Sequence, residues 1–244
     1  MKEKESILSD NNMPKHVALI MDGNGRWAKM KKLPRSEGHR QGTKNLKEIV
    51  RFSKNIGIKC LTVYAFSTEN WTRSKDEVQF LMKLLLKFLN SELDELVENN
   101  VKINILGFEK HLNKDILTAI RRAEKKSCKN DGMIFNIAFN YGSRLEIVNA
   151  VNDIIKDIKL GKINEDRITE EIFSKYLLTK NLPDPDILIR TSGEYRLSNY
   201  LLYQLAYTEM FFTDTLWPDF SNKEYYEILK QYSSRDRRFG REES

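Results

Sequence analysis

The stretch that decides the fold runs from His16 to Trp27 and reads HVALIMDGNGRW. Its apolar first half predicts a buried β-strand that carries Asp22 to the C-terminal edge of a sheet. Gly23 and Gly25 then allow a tight turn with exposed backbone N–H groups, because neither residue has a Cβ. Arg26 adds a planar guanidinium suited to phosphate oxygens. The pattern predicts a Mg²⁺–diphosphate site. A hairpin turn is the alternative, since Asp-Gly and Asn-Gly are common in such turns.

Strand and helix patterns alternate along the rest of the chain. Apolar, β-rich runs occur at 16–22, 60–66, 101–106, 133–141, 186–191 and 207–212, and helical patterns occur at 43–56, 75–98, 113–128, 144–159, 168–178 and 222–233. Ser74 with Glu77, and Ser221 with Glu224, have the spacing of capping boxes, and Gly57 is placed to end the first helix. The alternation predicts an α/β fold with a mostly parallel six-stranded sheet flanked by helices.

Composition limits the classes of protein. The 244 residues include 41 lysines and arginines against 35 aspartates and glutamates, a formal net charge of +6. This charge favours anionic ligands, nucleic acid or an acidic membrane surface without choosing among them. Cys60 and Cys128 lack metal-ligand spacing, so we expect a reducing compartment and no structural zinc. With no signal peptide and no membrane-spanning run, the sequence predicts a cytoplasmic protein with a leader at 1–13 and one domain at 14–244.

Two other segments place polar side chains after a predicted strand. The run at 65–73 contains Asn70, whose uncharged amide suits proton relay or substrate positioning. Arg196 and Ser198 follow Arg190 across a glycine turn, which predicts a second anion site. The alternatives are a polar loop leading into a helix for the first segment and solvated surface arginines for the second.

Three further features have both a structural and a functional interpretation. Glu209 is a lone carboxylate in an apolar strand, where it needs a partner or a metal ion. His39 follows Arg35 in a basic stretch and is either a structural histidine or a phosphate contact. The helix at 75–98 has a broad apolar face, which is either ordinary core or the wall of a cavity for a long apolar ligand. The candidate wall and floor residues are Ala65, Leu84, Leu85, Phe88, Leu89 and Met133.

Together these segments resemble the cis-prenyltransferase family, in particular the bacterial undecaprenyl diphosphate synthases. The similarity extends from about Pro14 to Gly240 and depends on HVALIMDGNGRWA at 16–28, GHRQG at 38–42, LTVYAFSTENWTR at 61–73, NIAFNYGSR at 136–144, ILIRTSGEYRLSNYLLYQLAYTE at 187–209 and WPDF at 217–220. The resemblance implies a transferase that adds isopentenyl diphosphate units with cis geometry to an allylic diphosphate, farnesyl diphosphate in particular. The implied product is a long-chain polyprenyl diphosphate such as undecaprenyl diphosphate, a carrier-lipid precursor for cell-wall synthesis.

The resemblance also implies roles for single residues. Asp22 matches the Mg²⁺ carboxylate, Glu209 a second Mg²⁺ contact, and Asn70 a proton acceptor or relay. The residues implied at the allylic diphosphate site are Gly23, Asn24, Gly25, Arg26, Arg35 and His39. Other implied substrate contacts are Trp27, Ser67, Thr68, Glu69, Trp71 and Arg73. The isopentenyl diphosphate site is implied at Arg190, Arg196 and Ser198.

Assembly and localisation are implied in the same way. The family implies a homodimer in which Arg238-Phe-Gly240 reaches the partner subunit, and a disordered basic tail is the alternative. The apolar helix would line a hydrophobic tunnel. Product would pass to a membrane, with peripheral association of the protein at its inner face.

Three other functions fit the sequence less well. A nucleotide or phosphate-ester enzyme would carry GxxxxGK[ST] or GxGxxG, and the chain has neither. A basic RNA or membrane-surface adaptor leaves Asp22 and Glu209 unexplained, and without an RNP-type motif we expect no nucleic acid partner. A catalytically silent subunit is disfavoured because every catalytic-type position is present.

Overall fold

The computed structural model describes residues 13–163 and 167–235, and its centre is a six-stranded parallel sheet. The strands lie in the order β3-β4-β2-β1-β5-β6, and each pairing between neighbours is parallel. Their bounds are β1 His16–Ile20, β2 Cys60–Ser67, β3 Val101–Leu106, β4 Met133–Tyr141, β5 Ile187–Arg190 and β6 Glu209–Phe212. The parallel six-stranded sheet predicted from the alternating pattern is confirmed.

Helices connect and cover the strands. They are α1 Asn24–Met30, α2 Arg35–Asn55, α3 Lys75–Glu98, α4 Lys114–Ser127, α5 Ser143–Lys159, α6 Glu170–Ser174 and α7 Asn222–Ser233, with 3₁₀ helices at Thr68–Thr72 and Trp217–Asp219. The predicted bounds of α3 and α7 are confirmed. Gly57 follows the end of α2 with φ of +90°, as its predicted role requires.

The largest error in the sequence interpretation is at α1 and α2. Helix α1 was not predicted, and α2 begins at Arg35 rather than at residue 43. Glycines obscured the helical pattern, because they are poor helix formers. Packing explains why glycine stands at these positions. A Cβ on Gly38 would lie 2.0 Å from the Asn24 carbonyl oxygen, and one on Gly42 would lie 2.1 Å from Asn24 Oδ1. The two glycines thus let α1 cross α2 closely. Helix α6 is also shorter than the predicted 168–178.

The sheet has a hydrophobic cluster on each face. Val17 and Leu19 belong to the larger cluster, which includes side chains of α2, α3, α4 and α7, and Ala18 and Ile20 belong to the smaller one. Successive residues of β1 therefore face opposite sides, and both sides are buried. This explains why β1 is an unbroken apolar run rather than an alternating one.

A chain of side-chain hydrogen bonds crosses four strands inside the sheet. His16 Nδ1 donates to the Pro183 carbonyl at 2.7 Å, so its Nε2 accepts from the Thr62 hydroxyl, also at 2.7 Å. Thr62 Oγ1 accepts from Asn136 Nδ2 at 3.0 Å, and Asn136 Oδ1 accepts from Asn104 Nδ2 at 2.9 Å. These side chains satisfy one another at the buried centre of the fold.

The direction of the chain along the sheet reverses at β1. Strands β2, β4 and β3 lie on one side of β1, whereas β5 and β6, which come later in the chain, lie on the other. Ile20 at the end of β1 is level with Arg190 at the end of β5. In open α/β sheets, ligands bind beyond the C-terminal strand ends at such a reversal. The fold therefore brings Asp22 and Arg190 together where a ligand is expected.

Candidate active site

A cavity of about 380 Å³ lies at the C-terminal ends of β1, β2 and β5. Its rim is polar and its inner wall is apolar. The polar lining residues include Asp22, Asn24, Arg35, His39, Ser67, Asn70, Arg73, Arg190, Arg196 and Ser198, with Gly23 and Gly25 beside them. Most of the site residues predicted from three separate segments thus meet at one cavity.

Asp22 lies just beyond β1 and is fixed by its neighbours. Its Oδ1 accepts from Gly23 N at 2.7 Å, its Oδ2 accepts from Arg190 Nη2 at 2.9 Å, and Arg26 Nη2 lies 3.8 Å from Oδ2. Burial by itself would raise the pKa of Asp22, but the hydrogen bond and charge of Arg190 outweigh it, and the pKa is lowered. Asp22 is therefore an ionised carboxylate at neutral pH, and one third of its side chain is exposed.

Arg190 is the buried cation of the site. Its side chain is 3% exposed, and its Nη1 donates to Ser198 Oγ at 2.9 Å and to the Arg196 carbonyl. Its Nε has no hydrogen-bond partner among the described residues. A buried, incompletely bonded guanidinium beside a serine hydroxyl is suited to binding an anion.

Two carboxylates that sequence reasoning did not assign to the site hold the other cations. Glu194 lies 3.2 Å from Arg26 and contacts Arg196, whose guanidinium is exposed at the rim. In the sequence, only its position between Gly193 and Arg196, within the motif at 187–209, could have indicated a role in the site. The carboxylate keeps the two arginines together without fully neutralising them.

Glu77 is the second missed carboxylate. Its backbone N–H donates to Ser74 Oγ at 3.3 Å, as a capping position predicts, but its carboxylate contacts three side chains that line the cavity. Its Oε1 lies 2.8 Å from Arg73 Nη1, 3.0 Å from Arg35 Nε and 3.4 Å from His39 Nε2. Burial lowers the pKa of His39 and the nearby arginines lower it further, against the opposing effect of Glu77, so the ring is neutral at neutral pH.

Asn70 projects from the first turn after β2. Ser67 N donates to Asn70 Oδ1 at 3.1 Å, and the two residues form a capping box at the start of the 3₁₀ helix. This bond fixes the amide, so its Nδ2 is the end available to a substrate.

Five predicted substrate contacts do not line the cavity: Arg26, which pairs with Asp22 and Glu194, two indoles, and two residues of the turn after β2. Trp27 Nε1 donates to Asp219 Oδ1 at 2.8 Å, and Trp71 Nε1 donates to Asn140 Oδ1 at 2.7 Å. The Thr68 hydroxyl donates to Glu69 Oε2 at 3.0 Å, and neither of these two residues lines the cavity. Each of these side chains instead bonds to a protein partner.

Glu209 lies at the opposite edge of the sheet. It begins β6 level with Ile187, which is level with Val17, whereas Asp22 follows the far end of β1. Five residues of strand separate the two levels, roughly 16 Å at about 3.3 Å per residue. Its carboxylate contacts Arg235 instead. Within one chain, Glu209 therefore lies too far from Asp22 to share a metal ion with it, and its implied role as a second Mg²⁺ contact stays a prediction.

The inner wall of the cavity is apolar. Leu81, Leu84, Leu85 and Phe88 of α3 line it together with Ala65, Ile137 and Phe139. Leu89 and Met133, in contrast, are each 1% exposed in the packed core and do not line it. The prediction of an apolar wall on α3 therefore applies to one stripe of the helix, at positions i, i+3, i+4 and i+7.

The donor set of the site determines which metal ion it fits. Mg²⁺ is commonly held by one or two carboxylates together with substrate phosphates and water. Among the described residues, no cluster of three or more acidic, histidine or cysteine side chains is present, whereas Asp22 offers one ionised carboxylate beside Arg190 and Arg26. These residues fit a Mg²⁺ ion that shares its ligands with a bound diphosphate.

The fold and this cavity define a class of enzyme that handles substrates with an anionic head and an apolar chain. A family model for undecaprenyl diphosphate synthases, which are prenyltransferases, matches residues 20–240. The chain is 52% identical over 237 residues to an isoprenyl transferase of Bacillus subtilis (strain 168), covering 97% of this chain and 91% of that relative. Over 244 residues it is 48% identical to the ditrans,polycis-undecaprenyl-diphosphate synthase ((2E,6E)-farnesyl-diphosphate specific) of Micrococcus luteus, covering 98% of each.

Solved structures agree with these relatives. A lavandulyl diphosphate synthase from Lavandula x intermedia, in complex with dimethylallyl diphosphate, matches with a TM-score of 0.92 and 40% identity over 95% of this chain and 100% of that one. A "probable undecaprenyl diphosphate synthase" from Campylobacter jejuni matches with a TM-score of 0.78 and 33% identity over 94% of this chain and 100% of that one. The chain belongs to the undecaprenyl diphosphate synthase family of prenyltransferases, which confirms the resemblance drawn from its motifs.

Proposed function

We propose that this protein condenses isopentenyl diphosphate units onto an allylic diphosphate with cis geometry and releases a long-chain polyprenyl diphosphate. The observation that carries the proposal is one cavity with Asp22 and Arg190 at its rim and the stripe of α3 as its wall. The names of the B. subtilis and M. luteus relatives support it. The plant structure holds dimethylallyl diphosphate, itself an allylic diphosphate, on the same fold.

Mg²⁺ is the proposed cofactor, held by Asp22 together with diphosphate oxygens. When bound, it supplies positive charge that offsets the charge developing on the departing diphosphate. The lowered pKa of Asp22 keeps this ligand deprotonated at neutral pH.

Two diphosphate positions are proposed. The N–H groups after Gly23, with Arg35, His39 and Arg73, would bind the allylic diphosphate, and Arg190, Ser198 and Arg196 would bind isopentenyl diphosphate. An incoming diphosphate would compete with Glu77 and Glu194 for their arginines, which these carboxylates hold in place beforehand. Such donors stabilise the charge that forms as the allylic C–O bond weakens.

The remaining steps are assigned to uncharged groups. The amide of Asn70 would orient the homoallylic double bond and assist loss of the proton after attack. The apolar wall would hold the growing chain and keep water from the carbocation. A tunnel long enough for the final product remains a prediction.

A homodimer is part of the proposal, and its contact surface is one face of α5. Leu145, Val148, Val151, Ile155 and Ile158 recur at helical spacing and are 41–55% exposed. An apolar stripe of this kind on a surface helix is typical of an interface. We expect Val148→Glu combined with Ile155→Glu to yield monomers in sedimentation velocity, and a dimer that persists would exclude this face. Arg238-Phe-Gly240, predicted to reach the partner subunit, lies outside the described residues.

Peripheral membrane contact is proposed at α1 and the turn that follows it. Met30 is 74% exposed and Leu33 is 44% exposed, and Lys29, Lys31 and Lys32 surround them. In the part of the chain that the structure describes, no helix has the length and apolarity to cross a bilayer. We expect the wild-type protein to sediment with phosphatidylglycerol vesicles but not with phosphatidylcholine vesicles. In the variant Met30→Glu, we expect sedimentation with phosphatidylglycerol vesicles to fall.

The deciding experiment supplies the purified protein with radiolabelled isopentenyl diphosphate, Mg²⁺ and either farnesyl or dimethylallyl diphosphate. We expect butanol-extractable products many C5 units longer than the starter, and their length would be read by chromatography. Omission of the allylic starter is the control. No extension of either starter would contradict the proposed function.

A further inference from the structure

Glu69 and Asn199 join two segments of the candidate active site that lie far apart in the sequence. Asn199 Nδ2 donates to Glu69 Oε1 at 2.7 Å across 130 positions of sequence. Glu69 precedes Asn70 in the 3₁₀ helix, and Asn199 follows Ser198 in the loop after β5. The bond therefore links the segment of the proposed proton relay to that of the proposed isopentenyl diphosphate site.

Asn199 is fully engaged in this position. Its Oδ1 accepts from Arg144 N at 2.8 Å, and its backbone carbonyl accepts from Ser143 N at 2.9 Å, so it also bonds to the first turn of α5. Its φ is +61° and that of Ser198 is +51°, a left-handed conformation that asparagine and aspartate tolerate better than most residues. The side chain thus holds together three segments of the site.

Glu69 does not face the cavity. Its Oε2 accepts from the Thr68 hydroxyl at 3.0 Å, and the residue does not line the cavity. A Cβ on Gly142 would lie 2.4 Å from Thr68 Oγ1 and 2.9 Å from Asn199 Nδ2, so the three segments pack closely around this pair. Burial would raise the pKa of Glu69, but the hydrogen bonds that its carboxylate accepts, the one from Asn199 foremost, together outweigh burial, and the pKa is lowered.

Asn199 is joined to the anion site through the neighbouring residue Ser198. Ser198 accepts from Arg190 Nη1 at 2.9 Å, and its carbonyl accepts from the Tyr64 hydroxyl at 3.3 Å. Arg190 in turn bonds to Asp22. We propose that the Glu69–Asn199 bond is a positioning clasp that sets Asn70 against the site of Arg190 and Ser198, and that Glu69 does not contact substrate. This inference rests on the proposed function of that site.

The clasp has a direction, which allows a donor–acceptor swap. In Asn199→Asp, two carboxylates would face each other, while the left-handed φ and the bond from Arg144 N could both persist. Glu69→Gln keeps an acceptor oxygen for Asn199. In the double variant, the amide introduced at position 69 would donate to the carboxylate introduced at position 199, which restores the bond with its polarity reversed.

Steady-state kinetics on the full chain test this geometry. We expect Asn199→Asp to lower kcat/KM for isopentenyl diphosphate about tenfold or more, with less change in KM for the allylic substrate. Glu69→Gln should stay within about twofold of wild type, and the double variant should recover most of the loss. Wild-type kinetics in Asn199→Asp, or no recovery in the double variant, would overturn the clasp. A loss in Glu69→Gln as large as in Glu69→Ala would show that the carboxylate itself contacts substrate.

Asn100 provides a matched control. It has φ of +58°, its Nδ2 donates to Asp131 Oδ1 at 2.9 Å, and it packs against a glycine in the same way, but it precedes β3 at the far edge of the sheet. Asn100→Asp should leave all kinetic constants unchanged. An equal kinetic loss in Asn100→Asp would mean that Asn199→Asp acts through general instability.

Amide hydrogen exchange gives a readout that does not depend on activity. We expect exchange at 67–72 and 196–201 to rise together in Asn199→Asp and to return in the double variant. If the wild-type chain shows no prenyl transfer, the proposed function fails, but this exchange pattern still decides whether the clasp exists. Unchanged exchange in both segments would reject it.

Discussion

The two edges of the sheet use ionisable side chains in opposite ways. At the N-terminal edge, His16 bonds to Pro183 and Thr62, Asp186 Oδ2 accepts from two backbone N–H groups, and Glu209 contacts Arg235. At the C-terminal edge, five arginines pair with three carboxylates among the described residues, namely Arg26, Arg35, Arg73, Arg190 and Arg196 with Asp22, Glu77 and Glu194.

The difference separates stability from binding. A network whose donors and acceptors are matched stabilises the fold and has no capacity left for a ligand. A network with surplus cations is held in place but remains short of negative charge, which a diphosphate would supply. Substitutions at the first edge should therefore change stability, and those at the second should change kinetics.

The largest expected effect is at Asp22. Asp22→Ala removes the proposed Mg²⁺ carboxylate, and a loss of several kcal/mol of transition-state stabilisation lowers turnover by roughly a thousandfold or more. Product formation at saturating Mg²⁺ measures this, and an unchanged circular dichroism spectrum controls for folding. Near-normal turnover would remove Asp22 from the catalytic group.

At the opposite edge, the expected effect is on acid stability. Burial lowers the pKa of His16 to about 4 from 6.5, despite the opposing bond to Pro183 and the charge of Asp186. Between these two pH values the unfolded chain binds a proton that the folded chain does not, so stability falls as the pH falls. Over the whole range, this proton uptake lowers the free energy of unfolding by roughly 3 kcal/mol, of which about 2 kcal/mol is lost between pH 7 and pH 5.

Urea unfolding at both pH values measures this loss. His16→Gln should be less stable at pH 7 but should lose about 2 kcal/mol less than wild type on going to pH 5. Parallel losses in the two proteins would show that His16 is not the responsible group. Turnover of His16→Gln at pH 7 should stay close to that of wild type, because the residue lies at the N-terminal edge of the sheet, away from the cavity.

At the C-terminal edge, kinetics can distinguish the two proposed anion positions. Arg190→Ala should raise KM for isopentenyl diphosphate about tenfold to a hundredfold, the range for a lost hydrogen bond to a charged group. Arg35→Ala should disturb the allylic substrate more. Initial rates with each substrate varied in turn measure both. Equal shifts in both KM values would make two separate positions untenable.

The smallest expected change in stability is at the apolar wall. Ala65→Leu adds volume inside the cavity, so we expect shorter products with the first condensation retained. Leu89→Ala is the matched core variant: it should lower the free energy of unfolding by about 2–5 kcal/mol and leave product length unchanged. Chromatography of the products and urea unfolding distinguish the two. Unchanged products in Ala65→Leu would place the growing chain elsewhere.

The sequence predicted features that depend on local periodicity. The bounds of α3 follow from a capping serine and a regular apolar stripe, and Asp22 and Arg190 meet because parallel strands end at one edge. The close crossing of α1 and α2 could not be predicted, because Gly38 and Gly42 weaken the helical pattern while making the packing fit. The place of Glu209 among apolar residues called for a partner, and Arg235 provides one, while the Mg²⁺ contact of Glu209 stays a prediction.

The missed site residues share a physical reason. Glu77 has the spacing of a capping residue, and only the direction of its side chain shows that it gathers Arg35, His39 and Arg73. Glu194 and Asn199 likewise act through partners distant in sequence. Spacing predicts which side chains share an edge, whereas the choice of partner depends on packing between segments.

The hydrogen-bonded row from His16 through Thr62 and Asn136 to Asn104 bears on how the sheet assembles. Strand β4 must insert between two parallel neighbours, and a strand that is apolar on both faces gives little information about register. Thr62 stands opposite Asn136 in the native pairing. A slip by one residue would set Phe135 or Ile137 against Thr62 and leave the amide of Asn136 buried without these partners, which costs roughly 1–3 kcal/mol. The polar row therefore favours the native register during folding and disfavours pairings that the hydrophobic pattern alone would allow.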